Sequence, residues 1–138
     1  MNAVPEGWRP ILRLSPFNAL VGPLYQRSAG ESLSIGLQIE EKHANSRGIC
    51  HGGLLATLAD LALGYAMHAR LDADNAGGFV TVQLSVDYAG AAKIGDWIES
   101  EVRIQRIGAR LAFADCYLVA GGVRIVRASA IFARSEKE

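Results

Sequence analysis

Apolar and polar residues alternate along several stretches of the chain. In "SLSIGLQIE", residues 32–40, Leu33, Ile35, Leu37 and Ile39 fall on one face and Ser34, Gly36, Gln38 and Glu40 on the other. That period of two is the signature of a strand with one wet face. Four more strand-like runs follow position 78: "FVTVQLSVDY", "DWIESEVRIQR", "ARLAFADCYLVA" and "VRIVRASAIFA". Their links, "AGAAKIG", "IG" and "GG", are short and glycine-marked, which predicts an antiparallel meander. In the first of these runs Val80, Val82, Leu84 and Val86 share one face, while Thr81, Gln83, Ser85 and Asp87 share the other. The polar face is suited to line a site.

Two segments break the alternation. "SPFNALVGPLY", residues 15–25, has Ser15 as a cap, Pro16 at the first helical position and a Gly-Pro stop, and predicts a short helix. "HGGLLATLADLALGYAMHAR", residues 51–70, predicts a long one that is apolar nearly all round, with a single carboxylate, Asp60, in its middle. The apolar run falls short of the ~20 residues of a membrane span, and a central Asp would cost about 2.5 to 3.5 kcal/mol there. A buried soluble helix, covered on more than one side, is the better reading. A curved antiparallel sheet wrapped around it is the simplest cover. The plan is therefore α+β, one domain over residues 1–138, with residues 1–30 as a lead-in carrying the short helix; "EKHANSRGICHGG" and "DADNAGG" are loops.

At about 100° per residue, Gly53, Ala56, Thr57, Asp60 and Gly64 lie along one side of the long helix, so the acid sits in a lane of small side chains. Leu54, Leu58, Leu61 and Leu63 carry the bulk elsewhere. Such a lane admits something beside Asp60. An unpaired buried carboxylate binds a proton avidly, as a general base must. The plainer alternative is that Asp60 bonds a neighbouring hydroxyl or an arginine. Just before the helix, Gly52 and Gly53 expose backbone N–H groups at a helix N-terminus, where free donors and the helix dipole favour a developing negative oxygen. Glycines also merely permit tight loop entry. His43, His51 and His68 match no zinc spacing.

Charge narrows the partners. Fourteen basic and fourteen acidic side chains give a formal net charge of zero, so nothing global argues for nucleic acid or an acidic membrane surface. Cys50 and Cys116 lack CxxC spacing and read as packing residues in a reducing compartment. The N-terminus, broken by Pro5, Glu6 and Pro10, lacks the pattern of a signal peptide, and a cytoplasmic location is expected.

The run H-x-N-x-x-G-x-x-H-G-G, here His43, Asn45, Gly48, His51, Gly52 and Gly53, with Asp60 nine residues after the second His, resembles the hotdog-fold acyl-CoA thioesterases of the phenylacetic-acid-degradation type. The likeness covers nearly the whole chain, from "SPFNALVGPLY" through "VTVQLSVDYAGAAKIGD" to "RIGARLAFADCYLVAGGVRIVRASAIFA". It implies a hotdog fold, a long helix wrapped by an antiparallel sheet, and hydrolysis of an acyl- or aryl-CoA thioester to acid and coenzyme A. Asp60 would be general base or nucleophile, the Gly52 N–H and the Asn45 amide would polarise the thioester carbonyl, and Thr81 would orient the water. His51 would shape the loop and contact the thioester, with Gly53 beside the substrate. No cofactor or metal is implied. The resemblance also places the site between subunits, Asn and Gly from one chain and Asp from the other, in a homodimer or a tetramer of two dimers.

Coenzyme A carries phosphates that must be met locally. The closing strands offer Arg103, Arg106, Arg110, Arg124, Arg127 and Arg134, of which Arg106 and Arg110, flanking the Gly108 turn, are the first choice. Phe17, Leu20, Leu24, Tyr25, Leu58 and Tyr65 are candidates to line an acyl tunnel or plain core. Two rivals stand beside this reading: a hotdog module that binds acyl-CoA without cleaving it, and a hotdog acyl-thioester dehydratase or hydratase. The latter uses a Pro-containing loop, and this chain has no Pro after Pro23.

Overall fold

The computed structural model describes residues 4–29, 32–71 and 78–135. The "DADNAGG" loop expected from sequence lies, but for Gly78, outside them. The alternating run at residues 32–40 forms β3, Ser32–Gln38, and the four later runs form β4, Phe79–Tyr88, β5, Trp97–Ile107, β6, Leu111–Ala120, and β7, Val123–Arg134. Two strands that the pattern does not reveal precede them: β1, Arg9–Pro10, and β2, Tyr25–Ala29. β1 is too short to show a period, and β2, "YQRSA", has no alternation, so its pairing with β3 decides its conformation. The short helix is α1, Pro16–Val21, with the Ser15 side chain accepting from the Asn18 N–H as an N-cap. It ends earlier than expected, and Tyr25 opens β2 instead.

All seven described strands form one antiparallel sheet in the order β1-β2-β3-β5-β6-β7-β4. The sheet curls around the long helix α2, Gly52–Arg70, which packs against β3 to β7. Leu55, Leu58, Ala59, Ala62, Leu63, Ala66 and Met67 make its buried face. They meet Ile35, Leu37, Ile98, Leu118 and Val126 from the sheet, all fully buried. Each such Leu or Ile contributes about 1.5–3 kcal/mol. The Trp97 ring occupies the space a Cβ on Gly36 would need, so glycine there makes room for the indole against the strand.

One expectation is corrected. The sheet covers only one side of α2, and Ala56, Thr57, Asp60 and Gly64 remain half-exposed. β4 is likewise open: among the described residues it pairs with β7 alone, and Val80 and Val82 are more than half exposed on this edge strand. Cys50 and Cys116 are free and buried, and burial pushes their thiols up to about 11 and about 12, as befits packing residues. No helix among the described residues is long and apolar enough to cross a membrane.

Candidate functional site

The loop before α2 is built by its own side chains. Asn45 Oδ1 accepts from the Arg47 N–H (2.9 Å) and the Ile49 N–H (3.2 Å), closing a tight turn in which Gly48 takes φ +77°. With its oxygen held twice, the Asn45 amide has a fixed orientation and its NH₂ remains as a donor without a partner among the described residues. His43, buried, uses both ring nitrogens: Nδ1 accepts from the Glu40 N–H (2.9 Å) and Nε2–H donates to the Val21 carbonyl. Its carbonyl accepts from the His51 N–H (2.8 Å), so one histidine ties α1, the loop and the start of α2 together. A 3-10 turn, Glu41–His43, replaces plain loop here.

His51 is the N-cap of α2. Its Nδ1 accepts from the Gly53 N–H at 2.9 Å, and a Cβ on Gly53 would come within 3.0 Å of that nitrogen. Gly53 therefore serves the cap, and its N–H is not the free donor expected from sequence. The Gly52 N–H meets no acceptor among the described residues, while the Gly52 carbonyl accepts from the Tyr88 hydroxyl at 2.7 Å. Tyr88, which sequence reasoning missed, thus anchors the residue that carries the free donor through its following peptide. Only its place at the end of β4, level with the start of α2, could have pointed to it.

Asp60 is half-exposed and not alone. Thr81 Oγ1 donates to its Oδ1 at 2.7 Å, which corrects the picture of a lone buried acid. The strand pattern groups Thr81 with Gln83, Ser85 and Asp87 on one polar face suited to line a site. A β-bulge parts them. Thr81 pairs with Phe132 and Gln83 with Ile131, so Val82 is an extra residue, and Thr81 shares the inward face of Phe132 while Gln83 falls on the outward one. Of the four polar residues, Thr81 alone lies on the helix side.

Asp60 and Thr81 open on a cleft of about 310 Å³, also lined by Ser15, Asn18, Leu61, Gly64, Tyr65, His68, Phe79 and Phe132. The Asn18 amide donates to the Tyr65 hydroxyl across it (3.1 Å). Of the six tunnel candidates only Tyr65 lines this cleft: Leu24 and Leu58 are fully buried core, Tyr25 packs on Trp97, and Phe17 and Leu20 are exposed. The loop donors are not in it. Gly52 and Asp60 are eight residues apart on α2, about 12 Å along the axis.

The arginines also separate. Arg103 pairs with Asp115 (3.2 Å), Arg124 with Glu101 (3.4 Å) and Arg127 with Asp87 (2.9 Å), and Arg134 donates to the Gly108 carbonyl (3.0 Å). Arg106 and Arg110 are exposed and carry no ion pair among the described residues. Their turn adjoins the cleft, because Arg134 bonds the Arg110 carbonyl and pairs in register with Phe79.

The sequence profile of the thioesterase superfamily matches residues 47–126, from the loop into β7. A provisionally named esterase of Pseudomonas aeruginosa is 44% identical over 133 residues, spanning 96% of this chain and 98% of that one. Human acyl-coenzyme A thioesterase 13 is 34% identical over 118 residues, 82% of each chain. Among solved structures, a mutant of the phenylacetic acid degradation protein PaaI from Thermus thermophilus superposes with a TM-score of 0.74 at 22% identity, over 87% of this chain and 99% of that one, a likeness of fold. The chain belongs to the thioesterase superfamily, and its long helix and curved antiparallel sheet are the hotdog fold of a thioester hydrolase.

Proposed function

We propose that the chain hydrolyses acyl-CoA thioesters, with Asp60 as general base and the Gly52 N–H as oxyanion donor, in a site shared between two copies. The observation that carries this is the Thr81–Asp60 bond at the mouth of an open cleft. Because Thr81 directs its proton at Oδ1, its oxygen offers only lone pairs to a water, and Oδ2 of Asp60 is left to take that water's proton. The hydroxide formed adds to the thioester carbon. The carbonyl oxygen becomes an oxyanion held by the Gly52 N–H and the Asn45 NH₂, and collapse expels the thiolate. A thiol of pKa ~8.5 departs readily, so no strong acid is required, and the proton held by Asp60 returns to the medium or the sulfur.

Distance supports sharing. Donor and base that are about 12 Å apart along one helix cannot serve one carbonyl, whereas a second copy related by a two-fold axis can bring its loop to this chain's Asp60. The open side of α2 and the open edge β4, with Val80 and Val82 exposed, are the surfaces that pairing would cover. Human acyl-coenzyme A thioesterase 13 supports coenzyme A as the carrier. The test is release of free thiol from a panel of acyl-CoAs. Binding without release would support the non-catalytic module.

A second expectation concerns the phosphates. Replacing Arg106 and Arg110 together by Ala should raise KM for acyl-CoA about tenfold with kcat nearly unchanged, since a contact remote from the reacting atoms adds uniform binding. Steady-state kinetics with the matching acyl-pantetheine, which lacks the nucleotide, should show no such rise. An equal response by both substrates would make these arginines structural.

A further inference from the structure

We infer that Gly64 sets the size of the acyl group the site accepts; the inference rests on the thioesterase reading of the same cleft. Glycine inside a helix destabilises it relative to alanine and needs a reason. At Gly36 that reason is the Trp97 ring, and at Gly90 it is Ile125, 3.0 Å from where a Cβ would stand. At Gly64 a Cβ would meet nothing within 4 Å, and its φ is not positive, so neither packing nor backbone conformation within the chain calls for glycine.

What Gly64 does have is a place in the cleft. It lies one helical turn beyond Asp60 on the same side of α2, and the bonded pair Asn18 and Tyr65 stands beside it as a wall. The space left by the missing side chain therefore adjoins the carboxylate that activates water. A thioester held there extends in two directions. The thiol limb would run toward Arg106 and Arg110, which have no ion pair among the described residues, past Phe79, which is in register with Arg134. The wall of Gly64, Tyr65 and Asn18 is left to the acyl limb. A side chain at position 64 would then occupy room that only the larger acyl groups use.

The test compares Gly64→Ala and Gly64→Val with the parent on acetyl-, phenylacetyl- and decanoyl-CoA and on the matching N-acetylcysteamine thioesters, with sedimentation and thermal melting alongside. The ratio of kcat/KM for the largest accepted acyl group to that for the smallest should fall about tenfold to a hundredfold, more for Val than for Ala, and equally for both carriers. The Tm of Gly64→Ala should rise by about 2–4 °C, as for an open helical site. A uniform loss across acyl sizes, or one that follows the carrier, would overturn the inference. So would a weakened dimer, because the gap would then accommodate the neighbouring subunit. No thiol release by the parent from any thioester would instead overturn the thioesterase reading, and the inference with it.

Discussion

Asp60→Asn is expected to lower kcat by roughly 10² to 10⁴ while leaving the fold intact. The amide keeps the size of the carboxylate and an oxygen that can still accept from Thr81 Oγ1, now 2.7 Å from Oδ1. It cannot take the water's proton. Because the residue is half-exposed and bonded to a neutral hydroxyl, neither a large burial penalty is relieved nor a charged partner stranded, and stability should stay within about 1 kcal/mol of the parent. Acyl-CoA affinity should persist, since in the proposed site the phosphates and the carbonyl would be held by other residues. A variant that turns over at near the parent rate would remove Asp60 from the chemistry. One that loses several kcal/mol in denaturant would make it a structural residue.

The second large effect is expected from Gly52→Pro. Proline deletes the N–H that has no acceptor among the described residues, at the first residue of α2, where its fixed φ is best tolerated. His51, at φ −61° and ψ 134°, already has the extended conformation that a residue before proline requires. An added Cβ would make ordinary contact with the Tyr88 ring at 3.5 Å. The fold should therefore survive, and kcat should fall by roughly 10² to 10³ through loss of one oxyanion donor. Gly52→Ala keeps the N–H, so an equal fall in that variant would implicate lost flexibility rather than the donor. Mixing then tests the shared site. Random re-pairing of Asp60→Asn with Gly52→Pro chains makes half the dimers mixed, each with one intact site of two, and about a quarter of parental activity should return. No recovery after verified exchange would place donor and base in one chain.

The helix, its acid and the long strands were legible because each has a period that sequence displays. The lane around Asp60 is visible from 100° spacing, and β3 from strict alternation. The family resemblance put Thr81 beside Asp60, whereas parity along "FVTVQLSVDY" groups it with Gln83, Ser85 and Asp87, which lie on the opposite face. A bulge is a property of two paired strands, and a single strand's pattern carries no trace of its partner's register. For the same reason β2 was missed. Gly52 and Gly53 look alike in sequence, yet the Gly53 N–H is consumed by donating to His51 Nδ1 and the Gly52 N–H is left. The bonded pair Asn18 and Tyr65 in the cleft joins residues 47 positions apart, which no local signal could pair.

The bulge also bears on how the length of this strand can vary. With Gln83 held against Ile131 and Thr81 against Phe132, a chain lacking Val82 would present the same hydroxyl to the same carboxylate from a regular pleat. Changing Val82 in place alters an exposed edge position; deleting it shortens the strand by one residue without turning Thr81 over. At this point the orientation of the hydroxyl is insulated from an insertion or a deletion. A gap at position 82 between two otherwise alignable chains is therefore compatible with one and the same site geometry.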